Sequence, residues 1–158
     1  MGVEELKKMF TYKDGKLIWN IDRSDKVKSG HIAGALTKNG YIKIFHNKKN
    51  YLAHRLIFLY HYGYIPKSID HINGIRNDNR IENLRECTQQ QNLFNKKPYG
   101  FSKYKGVYKC KNGFKSQIMY NSKLMYLGSY KTEKEAAIAY NKAALELHKD
   151  FAYLNTML

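Results

Sequence analysis

Residues 69–92, IDHINGIRNDNRIENLRECTQQQN, set the tightest limit on what this chain can fold into. A stretch this crowded with Asn, Asp and Arg has the chemistry of a loop rather than of an element interior, because Asn and Asp favour Asx-turns and tolerate left-handed backbone. Its edges differ from its middle. Ser68-Ile69-Asp70-His71, after the turn at Pro66, reads as a short strand, and Leu84-Arg85-Glu86-Cys87 reads as its partner, with the polar INGIRNDNRIEN between them as a loop. Thr88 with Gln91 three residues later forms a capping box, so a helix begins there and Asn92 falls in its opening turns. If that helix packs across the hairpin, Asp70 and Asn92 point at one spot, and His71 turns to the opposite side of the pleat.

Such a spot suits Mg²⁺ or a similar hard cation, which prefers oxygen ligands and often takes only one or two from the protein. Asp70 would supply charge and Asn92 a carbonyl oxygen. His71, not needed as a ligand, would be left to take a proton from an attacking water, a role suited to a group titrating near neutrality. Each residue also has a plainer reading. Asp70 could pair with Arg76 or Arg80, and Asn73, Asn77, Asp78 and Asn79 read as loop formers.

The flanks are ordinary by comparison. VEELKKMF reads as an opening helix, KLIWNI as a strand after an Asp-Gly turn, and GYIKIFHN and NYLAH as strands around an Asn-Lys-Lys-Asn turn. HRLIFLYHYG has helical spacing and stops at Gly63, with its histidines, His54 and His61, read as core or cap residues. KKPYGFSKY has linker composition. Beyond it KGVYKCK, FKSQIMYN and KLMYLGSY read as a three-strand meander, and TEKEAAIAYNKAALELHK as a helix capped by Thr132 and Glu135. Cys87 and Cys110 have no metal or disulfide spacing and read as packing residues.

Charge narrows the partner. Lys and Arg number 28 against 13 Asp and Glu, a formal net charge of +15. Residues 26–69 and 98–131 hold no acid at all, and both are studded with Tyr and Phe. Two basic, aromatic surfaces point to a nucleic acid. No apolar run approaches the ~18 residues of a membrane span, and the N-terminus has no signal-peptide core, so a cytoplasmic setting without membrane partners is expected.

Asp70-His71, Asn83 and Asn92, in the frame IDHINGIRNDNRIENLREC followed by TQQQN, resemble the ββα-metal core of the phage-type HNH endonucleases, in the HNN variant found among homing enzymes. The resemblance implies His71 as general base, Asp70 and Asn92 as ligands of one divalent ion, Mg²⁺ with Mn²⁺ as the alternative, and Asn83 as the middle residue that holds the loop and steadies the His71 backbone or ring. It implies hydrolysis of double-stranded DNA to 5′-phosphate and 3′-hydroxyl ends, by a monomer or weak dimer, in host cytoplasm if the chain is phage-encoded. Residues 104–155 are similar to the AP2 domain, a three-stranded sheet packed on one helix, through KGVY, LGSY, EAAIAYNKAALEL and AYLN. By position, that resemblance makes Lys105, Tyr108, Lys109, Lys111, Lys115, Gln117, Lys123 and Tyr126 contacts to DNA. Tyr108 and Met119 stand where its pattern has Arg.

The expected fold is therefore α+β: an N-terminal β-rich extension over 1–52, a ββα-metal core over 53–97, a linker over 98–103 and an AP2-like module over 104–158. A DNA-binding protein with an inactive core is the alternative function.

Overall fold

The computed structural model describes residues 1–98 and 102–157. The chain divides into two compact units, Met1–Thr88 and Gln89–Leu158. Both are mixed α/β, built on small antiparallel sheets. Of the expected linker, residues 99–101 lie outside the described residues.

The first unit opens with α1, Val3–Met9, whose acids Glu4 and Glu5 sit in the first turn and whose Lys7 and Lys8 sit in the last, as the helix dipole favours. Leu6 and Met9 are its buried side. Strands β1, Phe10–Lys13, and β2, Lys16–Trp19, pair across Asp14 and Gly15, both at positive φ, the backbone that a two-residue hairpin demands. A short strand β3, Ala35–Leu36, which the sequence pattern does not reveal, joins β4, Ile42–His46, and β5, Lys49–Leu52, in a three-stranded sheet. The β4–β5 turn uses Asn47 and Lys48 at positive φ in the same way. Helix α2, Ala53–Tyr62, follows at once and ends on Gly63, which takes the left-handed conformation and donates its N–H to the Leu59 carbonyl.

These elements close around Leu6, Phe10, Leu17, Trp19, Ile44, Leu56 and Ile57, with the Phe10 and Trp19 rings 4.3 Å apart. On this core rests a two-stranded hairpin of β6, Ile69–His71, and β7, Leu84–Glu86. Its register pairs Asp70 with Arg85 and His71 with Leu84, and all three β6 residues are buried.

The second unit begins with α3, Gln89–Phe94. Its sheet runs β8, Val107–Cys110, β9, Gly113–Tyr120, and β10, Lys123–Tyr130, in the order β10-β9-β8, with a bulge between Tyr126 and Gly128. Helix α4, Glu133–His148, covers one face. Thr132 and Glu135 form the expected capping box, each side chain bonded to the other's backbone N–H at 3.2 and 3.0 Å. Ile118 of the sheet packs with Tyr140 and Ala144 of the helix, and Val107 with Ala136 and Ala137; the alanines let the helix lie close. Asn155 seals the end of the chain: its amide bonds both the N–H and the carbonyl of Lys105, and its backbone exchanges two bonds with the Asn141 side chain.

The unit boundary at 88/89 differs from the division expected at 97/98, and the reason lies in α3. The Phe94 ring stacks on His148 at 3.6 Å, and the Lys105 ammonium reaches the carbonyls of Leu93, Phe94 and Lys96 at 3.3, 2.6 and 2.7 Å. Those partners all belong to the second unit. Among the described residues, no helix is long and apolar enough to cross a membrane.

The β1–β2 turn has a further task. A Cβ on Gly15, at φ +77°, would lie 2.6 Å from the backbone nitrogen of Arg80 and 2.9 Å from the carbonyl carbon of Asn79. Three residues earlier, the Tyr12 hydroxyl accepts the Ile81 N–H at 3.1 Å. The hairpin therefore abuts the polar loop. Gly15→Ala is expected to push residues 79–81 out of place and cost about 2–4 kcal/mol, from left-handed strain plus overpacking. Gly30→Ala, at φ +87° with nothing within 4 Å, carries only the strain. Urea unfolding followed by Trp19 fluorescence measures both; equal losses would mean that the hairpin does not brace the loop.

Candidate active site

The loop between β6 and β7 is laced by its own side chains. Asn83 is buried; its Oδ1 accepts the Asn73 N–H at 3.0 Å, and its Nδ2 donates to Asn73 Oδ1 at 3.0 Å and to the Asp78 carbonyl at 2.7 Å. Asn73 also closes an Asx-turn on the Ile75 N–H and donates to Asp78 Oδ2 at 2.7 Å. Arg80 meets both oxygens of Asp78, at 2.9 and 2.8 Å, and holds that carboxyl well below the usual carboxylate range. The loop is thus a hydrogen-bonded frame rather than a flexible connection.

His71 sits at the head of this frame, and the Asn79 side chain reaches its ring. His71 Nε2 lies 2.9 Å from Asn79 Oδ1. An amide oxygen only accepts, so Nε2 carries the ring proton and the basic lone pair is on Nδ1. Burial pushes the His71 pKa down, against the opposing pull of Asn79, Asp70 and Asp78, so the ring is neutral at neutral pH. Asn83 works one step away. Its carbonyl accepts the Ile72 N–H at 2.9 Å, which fixes the backbone next to His71, while its side chain holds the loop. Asn79, only 2% exposed, is the residue that the sequence pattern assigned to loop formation. The signal that could have found it is its place one residue before the Arg80 that locks Asp78.

Around His71 are other rings. His54 meets it edge-on at 5.1 Å between centroids, and Tyr41 lies 5.4 Å from His54 and 6.1 Å from His71, with Arg76 over the outer side of Tyr41 at 5.1 Å. His54 is buried in the first turn of α2, its Nδ1 has no hydrogen-bond partner, and burial beside His71 pushes its pKa down to about 3.

Asp70 is also buried, and Arg85 grips its Oδ2 through Nε at 2.9 Å and Nη2 at 2.7 Å. Register decides this partner. Arg85 is directly across the ladder from Asp70, whereas Arg80 is taken by Asp78, and Arg76 by the Asn39 carbonyl and the Tyr41 ring. Asn92 lies on α3, in the second unit. Among the described residues no three His, Cys, Asp or Glu side chains gather at one point. The Asp70 carboxylate is the kind of oxygen donor that a hard divalent ion such as Mg²⁺ takes, with water and phosphate filling most of its other positions. Arg85 orients that carboxylate and supplies its counter-charge.

The eight residues expected to touch DNA divide by their position on the second unit. Tyr108, Lys115, Gln117 and Tyr126 share the sheet face turned away from α4, with the Lys115 ammonium 5.8 Å from the centre of the Tyr108 ring. Lys109 and Lys123 alternate to the other side but are exposed, and Lys111 is exposed in the β8–β9 turn. Lys105 has another occupation. Its ammonium caps the C-terminal carbonyls of α3, and although burial and Lys96 lower its pKa to about 8, the charged form prevails at neutral pH.

Residues 51–93 match the sequence model of the HNH endonuclease family. That stretch is similar to an HNH endonuclease domain. The HNH match runs from β5 through α2 and the β6–β7 hairpin into α3, and so takes in Asp70, His71, Asn79, Asn83, Arg85 and Asn92. A protein described as an uncharacterized HNH endonuclease of Acanthamoeba polyphaga mimivirus is 39% identical over 124 residues, covering 76% of this chain. The chain spans 65% of that viral relative's length. HNH nucleases generally use a divalent metal ion.

Because folded His54 resists protonation down to about 3 while an unfolded histidine protonates near 6.5, the unfolded state binds the extra proton between those values. Stability is then complete above pH 6.5 and falls as pH drops below it, by at most about 1.4 kcal/mol per unit from this group. Thermal melting followed by Trp19 fluorescence should show a midpoint that drops from pH 7 to pH 5, and drops less in His54→Phe. Identical pH dependence in the two proteins would remove His54 from the explanation.

Proposed function

We propose that this chain is a metal-dependent endonuclease that hydrolyses phosphodiester bonds in double-stranded DNA. The observation that carries this reading is the buried, neutral imidazole of His71, with its Nε2 proton committed to Asn79 and its basic nitrogen at Nδ1. A ring in that state can take the proton from an attacking water, a contribution of about 10²–10⁴-fold. Asn79 keeps the ring in one tautomer and orientation, and Asn83 keeps the loop that carries Asn79. Asp70 and Asn92 are the oxygen donors proposed for one divalent ion, Mg²⁺ or Mn²⁺. When bound, that ion would stabilise charge on the scissile phosphate and on the leaving oxygen. The expected products are 5′-phosphate and 3′-hydroxyl ends.

The second unit serves, in this proposal, as an AP2-like anchor. Its sheet face presents Tyr108, Lys115, Gln117 and Tyr126, and twelve lysines against four acids make residues 89–158 attractive to a polyanion. Tethering such a module to the nuclease unit raises effective concentration on the duplex, as a site-directed homing enzyme requires. A single His71 per chain suits nicking by a monomer; a double-strand break would need two molecules or two visits.

Supercoiled plasmid incubated with Mg²⁺ gives the test. Wild type should convert it to open circles; His71→Ala should slow conversion about 10²–10⁴-fold, and Asn79→Ala about tenfold or more through loss of a buried hydrogen bond. Asp70→Ala and Asn92→Ala should raise the Mg²⁺ concentration required. Retarded but uncut plasmid under every divalent metal would instead identify a DNA-binding protein with an inactive nuclease core.

A further inference from the structure

We infer that the exposed face of the second unit's sheet selects A·T over G·C base pairs, reading adenine with Gln117 and thymine methyl groups with Met119 and Leu124. This deepens the reading of that sheet as the DNA anchor and rests on it. The register places the three residues together. Gln117 faces Tyr126 across the β9–β10 ladder, Met119 faces Leu124, and Lys115 faces Tyr108 across β8–β9, so all six share one side. The alternate residues Ser116 and Ile118 are buried toward α4. Met119 is 49% exposed, Leu124 56% and Tyr126 60%. Adjacent exposed apolar side chains of this size on a small domain mark a binding surface.

Charge says what that surface faces. No acid occurs from residue 98 to residue 131, and the sheet is bordered by Lys109, Lys111 and Lys123, so a polyanion is the complementary partner. The kind of cation then limits what is read. Residues 89–158 contain twelve lysines and no arginine. Without a guanidinium, the face lacks the rigid fork that grips guanine O6 and N7, and its lysines act as point charges suited to phosphate. Lys115, the one lysine on the face, lies against the Tyr108 ring. What remains at the centre is an amide and two apolar side chains. An amide meets adenine N6 and N7 in two bonds, and apolar groups meet the C5-methyl of thymine. Both belong to the A·T pair in the major groove.

The test uses the full chain in EDTA, which withholds the divalent ion, and three duplex pools randomised in their central segment with A·T pairs only, with G·C pairs only, or with A·U pairs that lack the thymine methyl. Fluorescence anisotropy should give affinity about tenfold higher for the A·T pool than for the G·C pool, with part of the advantage lost on the A·U pool. Gln117→Ala should narrow the gap between A·T and G·C. Met119→Ser with Leu124→Ser, which leaves no methyl at either position, should abolish the gap between A·T and A·U and leave the salt dependence unchanged, because phosphate contacts set that slope. The comparison of the A·T and A·U pools needs no variant and stands even if a substitution harms folding. Equal affinity for all three pools, a preference for G·C, or a methyl preference that persists in the double variant would overturn the inference. Failure of the anchor reading itself looks different: no pool would bind at low salt.

Discussion

One buried hydrogen bond, from His71 Nε2 to the amide oxygen of Asn79, governs the arrangement of the first unit. Burying an imidazole costs less when its polar atoms are met, and a loop side chain meets one of them steadily only if the loop is held in place. The rigidity comes from several directions. Asn83 and Asn73 tie the start of the loop to its end, Arg80 locks Asp78, and Tyr12 with the β1–β2 turn at Gly15 closes on residues 79–81 from the N-terminal side. Tyr12 and Gly15, in the N-terminal hairpin, thereby bear on the placement of the ring. The same burial lowers the proton affinity of His71 and favours its neutral form, the form that the proposed general base requires at neutral pH.

The two units use their cations in opposite ways. In the first, arginines hold carboxylates: Arg85 on Asp70 and Arg80 on Asp78, forks matched to two acids of the β6–β7 hairpin and its loop. In the second there is no arginine; Lys103 and Lys115 lie over tyrosine rings, and Lys105 caps a helix. Lys105 shows why charge alone is a poor guide to contact with DNA. Its position in the KGVY segment suggests a phosphate ligand, yet its ammonium is spent on three carbonyls of α3 and keeps that helix, with Asn92, attached to the second unit.

Much of the secondary structure was legible before any coordinates. Asp14-Gly15, the Asn47-Lys48 pair and Asn121-Ser122 declare their hairpins because few other residues tolerate two positive φ values in succession. Gly63 ends α2, and Thr132 with Glu135 begins α4, through bonds that are local in sequence. Asp70 and His71 stood out as an acid and a base side by side in a strand. What stayed hidden depends on register and tertiary packing. Arg85 rather than Arg76 or Arg80 meets Asp70 because it lies across the ladder; Asn79 rather than Asn83 meets the His71 ring, the Asn83 side chain being bonded to Asn73 and Asp78. Nor does the sequence between 88 and 97 reveal that α3 packs with the second unit, since the Phe94–His148 stack spans 54 positions.

The most direct measurement is the protonation pattern of His71 by long-range ¹H–¹⁵N correlation on ¹⁵N-histidine-labelled protein at neutral pH, without metal, assigned by the signal missing in His71→Ala. The ring is expected neutral, with Nε2 protonated and Nδ1 not, and that pattern should be lost in Asn79→Ala. A proton on Nδ1, or on both nitrogens, would contradict the bond to Asn79 and with it the base assigned to His71.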